Sequence, residues 1–459
     1  MEAPAGQTAT IQSATQVTFS DYVVRLEAYV RTSPGQLMVT LSACIIGAVI
    51  MGLASWHSYT GLRHSVQTVG KDTVPSIVAA QHIRSLLADA NANVMNAILT
   101  REPAGGPFMK EYRREINDAT GELVTAIQNI TYGDEEKTPL LTIMQNLSEY
   151  QRFVGAISTK SGDAEINDIL AANALMRDKV LTAAAALDQA NFKHLDETYS
   201  AHKSQLFMSV APYVFGLILL LGALGWTQVL LFKKTHRVIS PGFAAATVVT
   251  IVFALYSGFM LKSTESALKV AKADAFDSIH ALWKARAIAY DANADESLYL
   301  IYHGHGDAQE KSTAAFRSKV NEILNNNGKN NAQYGGFLGE ELANITFEGE
   351  KEVATESVTT FAEYLKIDGK IRELEKSGQY KEALALNIGT KPGESNWAYD
   401  RFDKALGKTI DMNQKEFDRN VSKAFSKLNV FPYVLGIVLI VVIAASIVGM
   451  KPRLDEYRF

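Results

Sequence analysis

The chain has 459 residues, enough for two or three domains, with a formal net charge of −4 and a pI near 6.2. Its one cysteine, Cys44, excludes an intramolecular disulfide, and the lack of a strongly basic patch argues against a nucleic-acid partner. Four long apolar runs without a charged residue separate polar blocks, so the average composition conceals a membrane protein.

The first 36 residues contain an amphipathic segment that is predicted to be helical. Its apolar residues recur at helical spacing, and the residues on and beside this face include Tyr22, Arg25, Leu26 and Tyr29. One interpretation is a helix that lies in the plane of the membrane interface, with its arginines near lipid phosphates. The other is a cytoplasmic docking site for a partner protein through these four residues. The two interpretations are compatible.

Four transmembrane helices are predicted at 37–56, 207–232, 238–261 and 430–450. Each run provides the roughly 20 apolar residues that are needed to cross the hydrocarbon core of a bilayer. Soluble proteins rarely bury helices of this length without a single charged residue, so a buried soluble helix is the weaker interpretation. The first run is not expected to be a cleaved signal peptide, because 36 residues precede it.

The short connections determine the predicted orientation. The loop 233–237 between spans two and three contains three Lys or Arg residues and no acid, and the tail 451–459 is also rich in basic residues. Positive residues remain on the cytoplasmic side, which predicts a multi-pass plasma-membrane protein with both termini inside the cell. The blocks 57–206 and 262–429 are then extracytoplasmic.

The two halves of the chain are predicted to be duplicates. Pro212-Tyr213-Val214 in span two matches Pro432-Tyr433-Val434 in span four. In the first helix of each outer block, Asp89-Ala90-Asn91-Ala92-Asn93 matches Asp291-Ala292-Asn293-Ala294-Asp295. Each half is therefore predicted to consist of a span, an outer block and a span. The Asn- and Gly-rich stretch 325–336 indicates an insertion in the second half.

Each outer block is predicted to be a bundle of helices. In the first block, apolar residues recur at spacings of three, four and seven, and proline and glycine break the pattern near 103–107 and 132–139. The third and fourth helices are expected at 140–158 and 164–205, whereas 325–349 in the second block is expected to be a long loop. The predicted fold class is all-α, with four transmembrane helices and two duplicated extracytoplasmic helical bundles.

Eight polar residues on the two matching outer helices are candidate contacts for a ligand or a partner: Arg84, Asp89, Asn91, Asn93, Arg286, Asp291, Asn293 and Asp295. The two arginines could clamp a carboxylate, or they could form ordinary salt bridges on the flanks of their helices. The asparagines at 91 and 293 fall near the core-facing stripe, so they could instead form polar layers that fix the register of each bundle, or the polar runs could be plain solvated flanks of their helices. These alternatives stay open at this point.

No catalytic residue, metal site or cofactor is predicted. The sequence has no nucleophile elbow, no phosphate-binding glycine loop and no zinc-ligand spacing. His303-Gly304-His305 is the nearest metal-like feature, and a solvated helix end is its simpler explanation. The spans carry no ionisable site at the bilayer midplane, which argues against transport. A non-enzymatic protein is expected.

Several segments resemble known membrane proteins. The helix that begins Asp72-Thr73-Val74-Pro75-Ser76 resembles the four-helix-bundle sensor domains of bacterial chemoreceptors. Together with Leu175-Met176-Arg177-Asp178, Thr235-His236-Arg237-Val238 and Lys451-Pro452-Arg453-Leu454, it resembles the GlnX-like four-span signalling proteins of actinobacteria. That family is implicated in relaying extracytoplasmic amino-acid availability. The resemblance implies an extracytoplasmic solute-binding protein and a cytosolic Ser/Thr protein kinase as partners.

The leading hypothesis is therefore a non-enzymatic transmembrane signalling subunit. A ligand or binding protein that prefers one packing of the outer helices would shift an equilibrium in helix position, and the spans would carry this shift inward. Membrane lipid and a second copy of the chain are further expected partners. The alternative is a structural membrane anchor or scaffold for an envelope or secretion assembly, which predicts no response to a ligand.

Overall fold

The computed structural model describes residues 27–157, 163–235, 240–326 and 333–457. These residues are helical almost throughout, and within them the only strand-like pairing is an isolated bridge between Asn325 and Gly335. The predicted all-α fold class is confirmed. An α-helix satisfies its interior backbone polar groups by itself, which suits a chain whose segments cross a membrane.

The described residues form thirteen α-helices. In chain order they are α1 (Ser33–Gln67), α2 (Val74–Leu99), α3 (Pro107–Gln128), α4 (Asp134–Ile157), α5 (Asp163–Leu175), α6 (Thr182–Thr235), α7 (Pro241–Lys269), α8 (Asp277–Ile301), α9 (Gly306–Ile323), α10 (Gly336–Ala343), α11 (Glu350–Lys376), α12 (Tyr380–Ile388) and α13 (Ser395–Asp455).

Three π-helical segments interrupt the long helices without ending them. They are Thr68–Thr73 between α1 and α2, Met176–Leu181 between α5 and α6, and Val270–Phe276 between α7 and α8. The first and third begin 202 positions apart, the same separation as Asn91 and Asn293, so they occupy equivalent places in the repeat. Hydrophobic periodicity over so short a stretch does not distinguish a π turn from an α turn, and π segments often mark functional positions.

Four long helices have apolar stretches that are long enough to cross a membrane. These stretches lie within Ser33–Leu99, Val210–Lys234, Pro241–Ile301 and Ser395–Asp455, and they belong to one compact unit. Many of their apolar side chains point outward: Leu53, for example, is 68% exposed. Because exposed apolar surface on this scale suits contact with lipid, the chain is a multi-pass membrane protein.

Small residues allow the spans to approach closely. A Cβ atom at Gly47 would lie 3.2 Å from the backbone of Leu220, and one at Gly242 would lie 2.6 Å from the Cα of Gly449. Such close backbone approach at glycine is typical of helix association in membranes. The lone thiol of Cys44 lies 3.3 Å from the hydroxyl of Thr227, so α1 and α6 meet side by side in this unit.

The second compact unit contains both outer halves, Leu62–Gln205 and Leu261–Leu428. The two equivalent helices α2 and α8 pack against each other inside it. The hydrophobic core of the first half includes Ala294 and Leu298 of α8, which are almost completely buried. The halves therefore share a continuous interior, and polar residues on α2 and α8 lie between them rather than on separate surfaces.

Two local expectations are wrong. Helix α4 begins at Asp134, so Pro139 lies within its second turn rather than before the helix, at the cost of one backbone hydrogen bond. The expected loop 325–349 contains α10, which follows a chain reversal at Gly336 with φ of +75°. A positive φ of this size favours glycine, and the Asn- and Gly-rich composition concealed the short helix that follows it.

Candidate functional site

The predicted asparagine of the first half lies in the core. Asn91 of α2 is fully buried, and its amide donates to the side-chain oxygen of Asn173 on α5 at 3.2 Å. The hydroxyl of Tyr150 on α4 donates to the Asn91 oxygen at 2.9 Å and is itself fully buried. This polar layer joins three helices, an arrangement that fixes their register.

The second half repeats this layer. Asn293 is 4% exposed and lies beside the hydroxyl of Tyr364 on α11, although its Nδ2 has no hydrogen-bond partner among the residues that the structure describes. Tyr364 also donates to Glu296 at 3.4 Å. A sequence pattern could have identified both tyrosines. Each follows a glutamate, as in Glu149-Tyr150 and Glu363-Tyr364, and a glycine lies five positions after each tyrosine.

The carboxylates predicted on α8 belong to a charge cluster between the halves. Arg177, in the π segment Met176–Leu181, contacts Asp291 at 2.6 Å (Nε to Oδ1) and Asp295 at 2.7 Å (Nη2 to Oδ1). Lys319 of α9 contacts Asp291 at 2.8 Å and also Asp295. We call these four residues the Arg177 cluster. Its two positive and two negative formal charges cancel, and Arg177 is its one residue from the first half.

Burial and charge act in opposite directions within the Arg177 cluster. Burial opposes ionisation of Asp291, but Arg177 and Lys319 outweigh it and hold its pKa below the ordinary range. At Asp295 burial is the larger effect, and it raises the pKa although the same two cations act against it. Removing a cation would leave a buried carboxylate poorly compensated, so the cluster holds the two halves together only while all four charges are present.

The two equivalent arginines have different surroundings. Arg286 of α8 donates two hydrogen bonds of 2.7 Å to the carboxylate of Asp403 on α13. It therefore binds a carboxylate of the same chain in a bidentate arrangement. Arg84 of α2 has no hydrogen bond or ion pair among the described residues, and burial lowers its pKa. The acids that act on Arg84, among them Asp188 of α6, form no ion pair with it, whereas Asp403 binds Arg286 directly.

Asp89 and Asn93 interact with each other along α2. The Asn93 amide donates to the Asp89 carboxylate at 2.8 Å. Burial, together with the neighbouring carboxylates of Glu115 and Asp403, raises the pKa of Asp89 well above its ordinary value. Glu115 of α3 lies within hydrogen-bonding reach of Asp89. Because two carboxylates so close together repel each other, ionisation of both groups at once is disfavoured.

The predicted cytoplasmic docking residues are mostly outside the described residues. Tyr22, Arg25 and Leu26 lie there, and only Tyr29 of the four is described; its side chain is 47% exposed. Nearby, Arg31 pairs with Glu27 at 2.6 Å. The docking interpretation and the interfacial-helix interpretation therefore both stay predictions.

A cavity of about 490 Å³ lies where the C-terminal end of α2 meets the start of α3 and the end of α4. Its wall is mainly apolar and is formed by Val94, Ala97, Ile98, Met109, Val154 and Ile157. Four charged residues also line it, namely Arg101, Glu102, Arg113 and Glu165, together with the phenol of Tyr112. The sequence analysis missed this site, because its residues come from four separate segments without a common motif.

A second cavity, of about 620 Å³, lies near the first π segment and is lined by Ser76 and Asn129. The equivalent space in the second half measures about 210 Å³. There Asn344, the counterpart of Asn129, donates to the hydroxyl of Ser278 at 3.0 Å. Of these two spaces, the one in the second half is the smaller.

The described residues show no arrangement for metal chemistry, since no group of three or more His, Cys, Asp or Glu side chains among them could hold an ion. His303, of the metal-like sequence feature, instead contacts Glu375 at 2.8 Å. Most of the predicted site residues are buried or half-buried polar groups between packed helices, and several of them pair with one another or with neighbouring side chains. Such an arrangement can favour one packing over another, which is a conformational rather than a catalytic property.

Residues 65–200 match the family model described as an actinobacterial sensor domain. The matched stretch contains α2 to α5, the π segment of Arg177 and the first part of α6, and thus the cavity of about 490 Å³. No match was found among curated proteins or among solved structures. Over this stretch the chain is similar to actinobacterial sensor domains, and together with four membrane-spanning helices this similarity supports a sensor-type membrane protein.

Proposed function

We propose that the protein is a non-enzymatic signalling subunit that relays an extracytoplasmic cue across the membrane to a cytosolic partner. The similarity to a sensor domain supports a role in sensing. The helical continuity supports the relay, because α7, the third π segment and α8 form one helical stretch, Pro241–Ile301, that includes a span. The first half contributes a second such path, from α5 through its π segment into α6.

The observation that carries this proposal is the Arg177 cluster. Arg177 lies on the path that leads into α6, and both of its carboxylate partners lie on α8. A change of packing in the first half that moved Arg177 would act on both paths at once. The Arg177 guanidinium has five hydrogen-bond donors, and its two aspartate partners lie one helical turn apart on α8. Arg177 could therefore shift from one aspartate toward the other while it stays paired with a carboxylate.

The energies involved are small. A ligand that binds one packing ten times more tightly than the other supplies about 1.4 kcal/mol, so the two packings would have to be nearly balanced. A charge cluster with mutual compensation is compatible with such a balance, because pairing outweighs burial at Asp291 whereas burial outweighs pairing at Asp295. A purely apolar interface would be less easily shifted by a small ligand.

The partners belong to the same proposal. The cue would arrive directly or through an extracytoplasmic solute-binding protein, and the output would reach a cytosolic Ser/Thr protein kinase. The resemblance of four sequence segments to the GlnX-like family supports these two partners. Membrane lipid surrounds the spans, and a second copy of the chain is a further candidate partner.

The native cysteine provides the test. In a Thr227→Cys variant, the new thiol would lie next to Cys44, and the rate of disulfide formation between them would report the packing of α1 against α6. We expect Arg177→Gln, added to this variant in intact cells, to change that rate several-fold. The rate is measured by mass spectrometry of alkylated thiols after timed oxidation.

The matched control is Arg152→Gln, because Arg152 lies on α4, is mostly exposed and forms its ion pair with exposed Glu149 among the described residues. This control should leave the rate unchanged. If Arg177→Gln also leaves it unchanged while the protein stays folded, the spans do not respond to the outer halves. The structural scaffold would then be the better interpretation.

A further inference from the structure

The cavity between α2, α3 and α4 has the size of a small-molecule site. Its volume of about 490 Å³ lies within the range of roughly 300–1,000 Å³ that is common for ligand pockets. An apolar wall with a few convergent polar groups is also the usual composition of such pockets. These properties raise the question of which ligand the polar groups would select.

Two donors at this cavity have no hydrogen-bond acceptor among the described residues, and a third, Arg113, has no carboxylate partner among them. Tyr112 is only 7% exposed, yet its hydroxyl has no hydrogen-bond partner among the described residues. Burial raises its pKa to about 12, so the phenol stays protonated and can donate. Arg101 has no hydrogen bond or ion pair in the described part of the chain, and Arg113 donates only to backbone oxygens.

The nearest acid is already occupied. The carboxylate of Glu102 accepts the backbone N–H groups of Met109 at 3.0 Å and Phe108 at 3.3 Å, at the start of α3. It therefore caps that helix instead of neutralising an arginine. The other acid of the cavity, Glu165, has no ion pair among the described residues.

The backbone at Arg101 is also unusual. It is the one non-glycine residue in the described part of the chain with a positive φ, at +50°. The left-handed conformation ends α2: the backbone N–H groups of Arg101 and Glu102 donate to the carbonyl oxygens of Ile98 and Ala97, which are the hydrogen bonds of a Schellman helix end. This turn directs the chain from the end of α2 toward α3, and Arg101 lines the cavity there.

We propose that this cavity binds a small organic carboxylate with an apolar chain, held by Arg101, Arg113 and the Tyr112 hydroxyl. The carboxylate would receive hydrogen bonds from three groups that have no carboxylate partner among the described residues, and the apolar chain of the ligand would lie against Val94, Val154 and Ile157. The ligand is either a simple carboxylic acid or an amino acid, whose ammonium group Glu165 would accept. The inference rests on the proposed sensing function and names its input.

The test uses the full chain in lipid nanodiscs and saturation-transfer NMR with three probes: 4-methylpentanoate, phenylacetate and L-leucine. Binding of L-leucine distinguishes an amino acid from a simple acid. We expect at least one of the three to bind, and 4-methylpentan-1-ol and 3-methylbutylamine, which lack the carboxylate, to bind at least tenfold more weakly. Empty nanodiscs correct for partition of the probes into lipid.

Variants locate the binding. Tyr112→Phe should weaken it about tenfold without loss of any internal hydrogen bond, and Arg101→Gln should weaken it further, because it removes a charge. Gly155→Leu should abolish it, since Gly155 lines the cavity and a Cβ there meets open space. Gly369→Leu is the matched control, at the equivalent position of α11 and likewise in open space.

Absence of binding by all three probes, or equal binding by the wild type and Gly155→Leu, would overturn the proposal. The outcome is independent of the relay. If no carboxylate binds while Arg177→Gln still alters the reaction between Cys44 and the thiol at position 227, the sensing subunit remains supported and only the named input is wrong. If a carboxylate binds but that reaction never changes, the relay fails instead.

Discussion

A buried pair of carboxyl groups makes the stability of the second half dependent on pH. Glu341 of α10 is 2% exposed and Glu350 of α11 is fully buried. One oxygen of Glu350 accepts the backbone N–H groups of Thr346 and Phe347 at 2.7 and 2.9 Å. Burial, reinforced by the neighbouring Glu350, raises the pKa of Glu341 to about 7, against hydrogen bonds that lower it.

The sign of the effect follows from the direction of the shift. A carboxyl group whose pKa is higher in the folded state favours folding only while it is protonated, so its contribution is complete below pH 4.5 and is lost as the pH rises through about 7. At about 1.4 kcal/mol for each pH unit, the displacement from 4.5 to about 7 corresponds to about 3 kcal/mol.

The Glu341→Gln variant should therefore be as stable as the wild type at pH 5 and more stable at pH 8.5. Glutamine stays neutral at both values, and its oxygen can still accept the amide of Asn413, which lies 3.2 Å from the Glu341 carboxylate. Thermal unfolding of the full chain in detergent, followed by tryptophan fluorescence from pH 5 to 8.5, should show the two midpoints separating by several degrees.

The neighbouring acid provides the control. Glu340 is exposed, so Glu340→Gln should follow the wild type at every pH. A constant difference between Glu341→Gln and the wild type across the pH range would refute the argument, because it would show that Glu341 has the same pKa in the folded and the unfolded chain. If Glu341→Gln is less stable than the wild type at pH 8.5, the charge of the Glu341 carboxylate is compensated in the folded chain.

Three further predictions follow from the contacts. Arg177→Gln should destabilise the outer unit by about 3 kcal/mol in denaturant titrations, since two buried carboxylates would share one cation; an effect below about 1 kcal/mol would mean that the cluster is solvated. Tyr150→Phe should cost about 2 kcal/mol in the same assay because it leaves a buried amide oxygen without a donor, whereas Tyr112→Phe should be nearly neutral; equal effects would contradict the assigned hydrogen bonds. In a cysteine-free background, Asn117→Cys should react with an impermeant thiol reagent in intact cells and Lys233→Cys should not, and the reverse pattern would overturn the proposed orientation.

The sequence predicts the parts of this structure that depend on local composition. Charge-free apolar runs are sufficient to locate the four spans, and apolar spacing is sufficient for the all-α fold. The match of Asn91 with Asn293 predicts two equivalent helices. It does not reveal that these helices pack against each other, because no local pattern states which helix an apolar face will meet.

The Arg177 cluster could not be derived from the sequence for the same reason. Arg177 and Asp291 are 114 positions apart and lie in different halves, so neither residue's neighbours indicate the other. The repeat is also misleading here, because it suggests that Arg84 and Arg286 have equivalent roles. Their difference depends on whether an acid on a distant helix binds the arginine directly, as Asp403 binds Arg286.

The paired π segments have a consequence for how insertions and deletions would act on this protein. A π turn contains one residue more than the α turn that it replaces. Deletion of one residue within Thr68–Thr73 could therefore be absorbed as a continuous α-helix in which the side-chain faces before and after the segment stay in phase. Deletion of one residue within the regular part of α2 removes no extra residue, so it would turn the faces on its two sides by about 100° relative to each other. The same reasoning applies to Val270–Phe276 and α8. A deletion within either π segment should therefore be tolerated better than a deletion within α2 or α8.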